Sequence, residues 1–375
     1  MEQVNTVCNQ DQCVGCMACV DLCPRQAISI IDNRYAYNAV IDNTKCIQCK
    51  ICFNNCQNNN RRELVYPRSW YQGWINDSFL RGRSSSGGAA KALSLQFIKE
   101  GGIVVSCYFD KGKFIFDKAE SADELEKFTG SKYVKSNPTG VYTAIKELLK
   151  QDQKVLFIGL PCQVGAIKTV VGDNENLYTV DLICHGTPSP ELLREYLASH
   201  HINLSDLNSI SFRHKEVFGL EQNQKPLSQP GSCDDYLLAF LCSLDYTNNC
   251  YECKYAGINR GSDITIGDSW GSDLPKEEQR KGISLILCQS IKGEQLLKRS
   301  NMKLFSVDLE RAVSVNDQLR EPSVKTKKHD LFFEKYPQKG FKYATFCCLP
   351  FKCIKQRIKA ILLKVKILPG GGYKL

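Results

Sequence analysis

The chain has 375 residues, 43% hydrophobic and 24% charged, the balance of a soluble globular protein with length for two or three domains. Its net charge is +9, but seven of those charges (Lys352, Lys355, Arg357, Lys359, Lys364, Lys366 and Lys374) fall between Phe351 and Leu375, a stretch with no acid. The remainder is nearly balanced, which leaves no case for nucleic-acid binding. Twenty cysteines do not indicate a secreted disulfide scaffold, because eight of them stand in cluster spacing, which requires free thiolates and a reducing compartment.

The first 13 residues lack the basic start and apolar core of a secretory leader. No stretch approaches the ~18–20 uncharged apolar residues of a membrane span, so the expected location is cytoplasmic. Cys13, Cys16, Cys19 and Cys23 form C-x2-C-x2-C-x3-C-P, and Cys46, Cys49, Cys52 and Cys56 repeat the cysteine spacing, with Gln57 in place of the proline. This is the two-cluster ferredoxin run, in which each fourth cysteine serves the other cluster. Three thiolates from one loop wrap one face of a cubane, and the fourth must come from elsewhere. Cys13, Cys16, Cys19 and Cys56 are therefore expected to hold one [4Fe-4S] cluster, and Cys46, Cys49, Cys52 and Cys23 a second.

A polar run, residues 54–62, closes this module, and a connector follows to about Trp74. From Ser84 the pattern becomes α/β. The spacing predicts a helix over 89–100, a strand over 103–109, a helix over 141–150 and a strand over 155–158. A helix to about 170 follows, then a strand over 177–183 and a helix from about Pro190. The expected fold class is α/β, an α+β ferredoxin module followed by a mixed, largely parallel α/β region. The expected division is 1–66, 67–150, 151–322 and a basic tail, 323–375.

Cys162 and Cys184 each follow a predicted strand, and Cys250 and Cys253 form a CxxC. Four thiols from three loops can close a third [4Fe-4S] site, but spacing equally allows structural zinc or unrelated thiols. Ser84, Ser85, Ser86, Gly87 and Gly88 precede a helix and could cradle an anion. Residues 262–268 alternate as a strand, with Asp263 and Asp268 as candidate cofactor contacts; local capping explains a turn aspartate as well. His185, beside Cys184, could exchange a proton, or be structural. Arg213 and Lys215 could hold an anion, or end a solvated strand.

The segments SSSGGAAKAL, VLFIGLPCQVGAIK, VDLICHGTPSP, SFRHK and CYECKYAGINRGSDITIGDSWG resemble, in order, the coenzyme F-420 (deazaflavin) hydrogenase/dehydrogenase beta-subunit family. The resemblance runs from about Ser84 to Gly271. It implies an iron-sulfur flavoprotein, with FAD beside a [4Fe-4S] cluster held at Cys162, Cys184, Cys250 and Cys253, and a flavin-contacting role for the serine-glycine loop. Two segments depart from the family. Histidine stands for an acid in Phe212-Arg213-His214-Lys215, and Tyr246-Thr247-Asn248-Asn249 lacks the usual Arg-Pro.

The expectation is a flavin-dependent oxidoreductase exchanging electrons between its clusters, FAD and a deazaflavin-like or other organic small-molecule substrate, supplied by a redox partner protein or soluble donor. The alternatives are an electron-transfer subunit without its own substrate, and a ferredoxin fused to a zinc-stapled interaction domain. In the tail, Ile354, Ile358, Ile361, Leu362, Val365 and Leu368 share one helical face flanked by Lys355, Lys359 and Lys366. That face could make peripheral membrane contact, or dock on the body or a partner; Leu363 and Ile367 fall opposite.

Overall fold

A computed structural model describes residues 5–364. The N-terminal module is built on a two-stranded antiparallel hairpin, β1 (Ile28–Asp32) and β2 (Tyr37–Ile41). The two cysteine runs fold alike. Gly15 and Gln48 are both left-handed, as are Met17 and Lys50, which start the short helices Ala18–Leu22 and Ile51–Asn54.

The rest of the chain contributes β3 (Ser69–Ile75), β4 (Ile103–Asp110), β5 (Lys113–Ala119), β6 (Val155–Gly159) and β7 (Leu177–Leu182). A small antiparallel sheet follows, β8 (Ser211–His214), β9 (Val217–Gln222) and β10 (Lys225–Pro226), then β11 (Ile264–Asp268), β12 (Ser284–Cys288) and β13 (Met302–Phe305). The main sheet has eight strands in the order β13-β3-β12-β11-β7-β6-β4-β5. Its central strands β4, β6, β7 and β11 are parallel and its flanks antiparallel. β6, Val-Leu-Phe-Ile-Gly, is buried throughout, as a central parallel strand covered on both faces must be.

The helices Ala89–Lys99, Val141–Lys150, Pro161–Val171 and Pro190–Ala198 lie where the apolar periodicity puts them. β3 corrects the sequence reading, which left these residues as connector. Its partners, β12 and β13, lie more than 200 residues downstream, so no local pattern announces the pairing. β3, β4 and β5 come from 67–150 and the other five strands from 151–322, so one hydrogen-bonded sheet spans both segments. Nor is the tail loose in its first part. The helix Lys327–Cys348, broken at Lys339 and Gly340 just after Pro337, buries Phe332, Phe341 and Ala344 with Leu192, Tyr196 and Tyr236. The helix Pro350–Lys364 follows; Val365, Lys366, Ile367 and Leu368 lie outside the described residues. Among the described residues, no helix is long and apolar enough to cross a membrane.

The N-terminal module is held against this body by charge and by capping. Gly140 offers no side chain to cap the helix Val141–Lys150. Asp21 supplies one instead, accepting from the backbone N–H of Tyr142 at 2.9 Å and Thr143 at 3.1 Å, and from Thr143 Oγ1 at 3.0 Å. A carboxylate at a helix start is stabilising. Tyr142 Oη, fully buried, donates to the Cys16 carbonyl at 2.5 Å.

Candidate functional site: three groups of thiols and a neighbouring cavity

β6 and β7 are parallel neighbours, with Gly159 paired to Asp181, so their C-terminal ends lie side by side. Cys162 enters the helix after β6, behind Pro161 at its first position, and Cys184 follows β7. The loop after Cys184 is tied to the CxxC loop: Pro188 bridges Tyr246, Thr247 N–H donates to the Thr187 carbonyl at 3.1 Å, and Thr187 N–H donates to Cys250 Sγ at 3.4 Å. The residues 246–249, where the sequence departs from its resemblance, are thus the clamp that holds Cys250 opposite Cys184. As a result Cys162, Cys184, Cys250 and Cys253 all line one cavity of about 280 Å³. Burial drives the Cys162 thiol well above its usual range and Cys184 up to about 12; the neighbouring thiols push the same way, and Lys135 opposes. Four such thiols cannot ionise together without a cationic centre among them.

In the N-terminal module Cys13, Cys16, Cys19 and Cys56 line one small cavity, and Cys52 feels the charges of Cys23, Cys46 and Cys49. The fold therefore groups each run's first three cysteines with the fourth of the other. Backbone N–H groups aim at the sulfurs: Gly15 at Cys13 and Gln48 at Cys46, both 3.4 Å, and Ala27 at Cys23, 3.3 Å. Gly15 is required by crowding as well as by its φ of +68°, since a Cβ there would come within 2.7 Å of the Tyr37 ring and 2.9 Å of Lys135 Cδ.

Sequence reasoning missed two residues here. Cys8 lies outside both runs, yet it shares the small cavity with Cys13, Cys16, Cys19 and Cys56 and also lines the larger thiol cavity. Its thiol interacts with those of Cys13 and Cys56, and the Cys13 contact is the largest influence holding it protonated, up to about 11. Lys135 is 5% exposed, lines the cavity of Cys162 and Cys184 and donates to the Val14 carbonyl at 3.1 Å. A fifth cysteine near a four-cysteine run is visible in sequence; a lone lysine 121 positions away carries no such signal.

On the other side of the Cys184 loop lies a cavity of about 540 Å³, within the range of cofactor and small-molecule sites. Leu160, Cys184, His185, Gly186 and Thr187 line both cavities and form the wall between them. The large cavity is bounded by Ser84, Ser85, Ser86 and Gly88, where the helix Ala89–Lys99 begins, and by Tyr133, Arg213, Asp268 and Trp270. Arg213 is held by Asp268 through two hydrogen bonds, 2.5 and 3.0 Å, and stacks near Phe218 and Trp270. His185 is kept below its usual pKa, chiefly by the protein packed around it, and is neutral near pH 7.

Three expected contacts lie elsewhere. Asp263 is buried, and its carboxylate accepts from Thr179 N–H and Oγ1, both 2.8 Å, and from Ser290 Oγ, 2.7 Å. It fastens the sheet and lines neither cavity. Gly87 packs under the loop, where a Cβ would meet the Gly73 carbonyl at 2.4 Å. Lys215 also lies behind the loop. Its ammonium donates to the carbonyls of Ser86, 2.9 Å, and Arg81, so it props the loop from outside the cavity.

Known families match this chain segment by segment. Residues 12–60 match the 4Fe-4S dicluster domain, and residues 152–308 match the C-terminal part of the coenzyme F420 hydrogenase/dehydrogenase beta subunit. In these two segments the chain is similar to those families. It is an iron-sulfur electron-transfer protein of the oxidoreductase class. No curated protein matches. Among solved structures, a chain of the F420-reducing [NiFe] hydrogenase complex from Methanosarcina barkeri is 19% identical over 68% of this chain and 90% of its own, with a TM-score of 0.46.

Proposed function

We propose that this beta-subunit-like protein is an iron-sulfur flavoprotein oxidoreductase, linking three [4Fe-4S] clusters to FAD and to a deazaflavin-like or other conjugated organic substrate. The eight N-terminal cysteines would hold two clusters, and Cys162, Cys184, Cys250 and Cys253 the third. The donor sets fit: Cys162, Cys184, Cys250 and Cys253 line one cavity, and all four are thiols, the ligand type that holds a [4Fe-4S] cluster.

The large cavity fits a flavin. Ser84, Ser85, Ser86 and Gly88 present a helix start to an anion, and Phe116, Phe128, Tyr133 and Trp270 supply apolar walls. A flavin bound there would exchange single electrons with clusters and a hydride with an organic molecule. The residues of this chain would do the rest. Arg213, oriented by Asp268, offers a fixed cation at the cavity edge. His185 reaches both cavities as a neutral imidazole that can exchange a proton with a ligand. Ile47, Cys49 and Phe53 are exposed around the second group of thiols, beside exposed Lys45 and Lys50, which supports docking of a redox partner protein there.

One observation carries this reading: the loop bearing Cys184 is the common wall of the thiol cavity and the large cavity. The test is anaerobic purification followed by iron, sulfide, zinc and flavin analysis. About twelve irons and one flavin per chain are expected. About eight irons with one zinc and no flavin would replace this reading with a ferredoxin joined to a zinc-stapled domain.

A further inference from the structure

The helix Pro350–Lys364 is docked on one side and open on the other. Cys353 and Gln356 are 2% and 6% exposed, and the Gln356 carbonyl accepts from Cys233 Sγ at 3.1 Å. Phe351, Ile354, Ile358 and Ile361 are 85%, 46%, 53% and 61% exposed. At 3.6 residues per turn these four fall within an arc of about 80°, on the side away from Cys353 and Gln356. Lys355 and Lys359 run along one border of the stripe and Arg357 along the other, while Lys352 lies toward the docked side, its ammonium donating to Cys242 Sγ at 3.2 Å.

Three occupants could cover such a stripe. A second copy of the chain would bring two lysine-bordered helices together with no acid on either to pair them, since residues 351–375 contain none. A protein partner would need an apolar surface rimmed with acids. An anionic bilayer supplies both at once, acyl chains for the stripe and phosphates for its cationic borders. We infer that this helix lies in the headgroup layer of an anionic membrane, stripe inward, and holds the protein on the bilayer. The inference rests on the tail alone and is independent of the cofactor assignment.

The test is co-sedimentation of the full-length protein with vesicles of phosphatidylcholine, with and without about 30% phosphatidylglycerol. Binding is expected to be at least about tenfold tighter to the anionic vesicles and to weaken with salt. Phe351→Glu with Ile358→Glu should abolish it. Both sites are solvent-facing, so the thermal melt and visible spectrum should not change. Lys355→Ser should weaken binding by about fivefold. The inference is overturned by equal binding to both vesicle types, or by a double-glutamate variant that still binds. It is overturned too if sedimentation equilibrium finds a dimer that this variant dissociates and no vesicle binding by the parent.

Discussion

Lys135 reaches across from the body to the first cysteine run and donates to the carbonyl of Val14 at 3.1 Å, and it also lines the cavity of Cys162 and Cys184. One buried cation thus serves two groups of thiols. A positive charge stabilises whichever redox state is more negative, so it raises a nearby potential. In Lys135→Met the midpoint potential of the adjacent clusters should fall by roughly 50–100 mV, the one-electron equivalent of about 1–2 kcal/mol. Redox titration followed by electron paramagnetic resonance measures this, and an unchanged potential would assign Lys135 a packing role only.

Cys8 acts on the same region by a different means. Its thiol lies among those of Cys13 and Cys56, the Cys13 contact pushing its pKa up and the Cys56 contact pulling it down; as a thiol it would donate a hydrogen bond to the Cys13 sulfur. Cys8→Ala should leave iron content unchanged and lower one cluster potential by roughly 20–60 mV, the loss of one modest hydrogen bond. Loss of about four irons per chain instead would make Cys8 a ligand.

Cys162 separates wiring from folding. With Cys162→Ser, about four irons should be lost while the N-terminal clusters stay, because the two thiol groups are drawn from different loops. Flavin should still bind, but its reduction by a ferredoxin-type donor should slow at least about hundredfold, as seen by anaerobic stopped flow. Normal reduction would take this site out of the electron path.

Asp268 and Arg213 form a pair whose side chains are 20% and 9% exposed. Removing one partner strands the other, so Asp268→Ala should cost about 3 kcal/mol in unfolding free energy. Arg213→Lys keeps the charge and loses the two-point grip. It should weaken binding of an anionic ligand in the large cavity by about tenfold, measured by titration.

Asp245 offers a pH-dependent test. It is fully buried, neither carboxylate oxygen has a partner among the described residues, and burial pushes its carboxyl up to about 8. The unfolded chain gives up this proton near pH ~4. Between these values the folded state binds the extra proton, so the stabilisation is full below about pH 4 and is lost as pH rises through about 8. Asp245→Asn should therefore melt close to the parent at pH 5. At pH 8.5 it should be more stable, by on the order of 1–3 kcal/mol.

Ligand-type cysteines and the alternation of helices and strands were readable because both are local. A cubane demands thiolates at fixed short spacing, and apolar periodicity reports which face a segment buries. The strands before Cys162 and Cys184, and the resemblance around them, located the body's thiols, and the serine-glycine loop was recognised as a helix start. Pairing across long separations left no such trace. β3 joins strands more than 200 residues away, Asp21 caps a helix from another module, and Asp263 proved to be consumed by Thr179 and Ser290. By itself, then, the sequence determined which cysteines stand in ligand-type spacing and the α/β character of the chain. Only the tertiary structure decided that Cys8 and Lys135 stand among those thiols, and that one loop divides two cavities. Such contacts arise when distant segments exclude water together, and no short window of residues encodes which segments will meet.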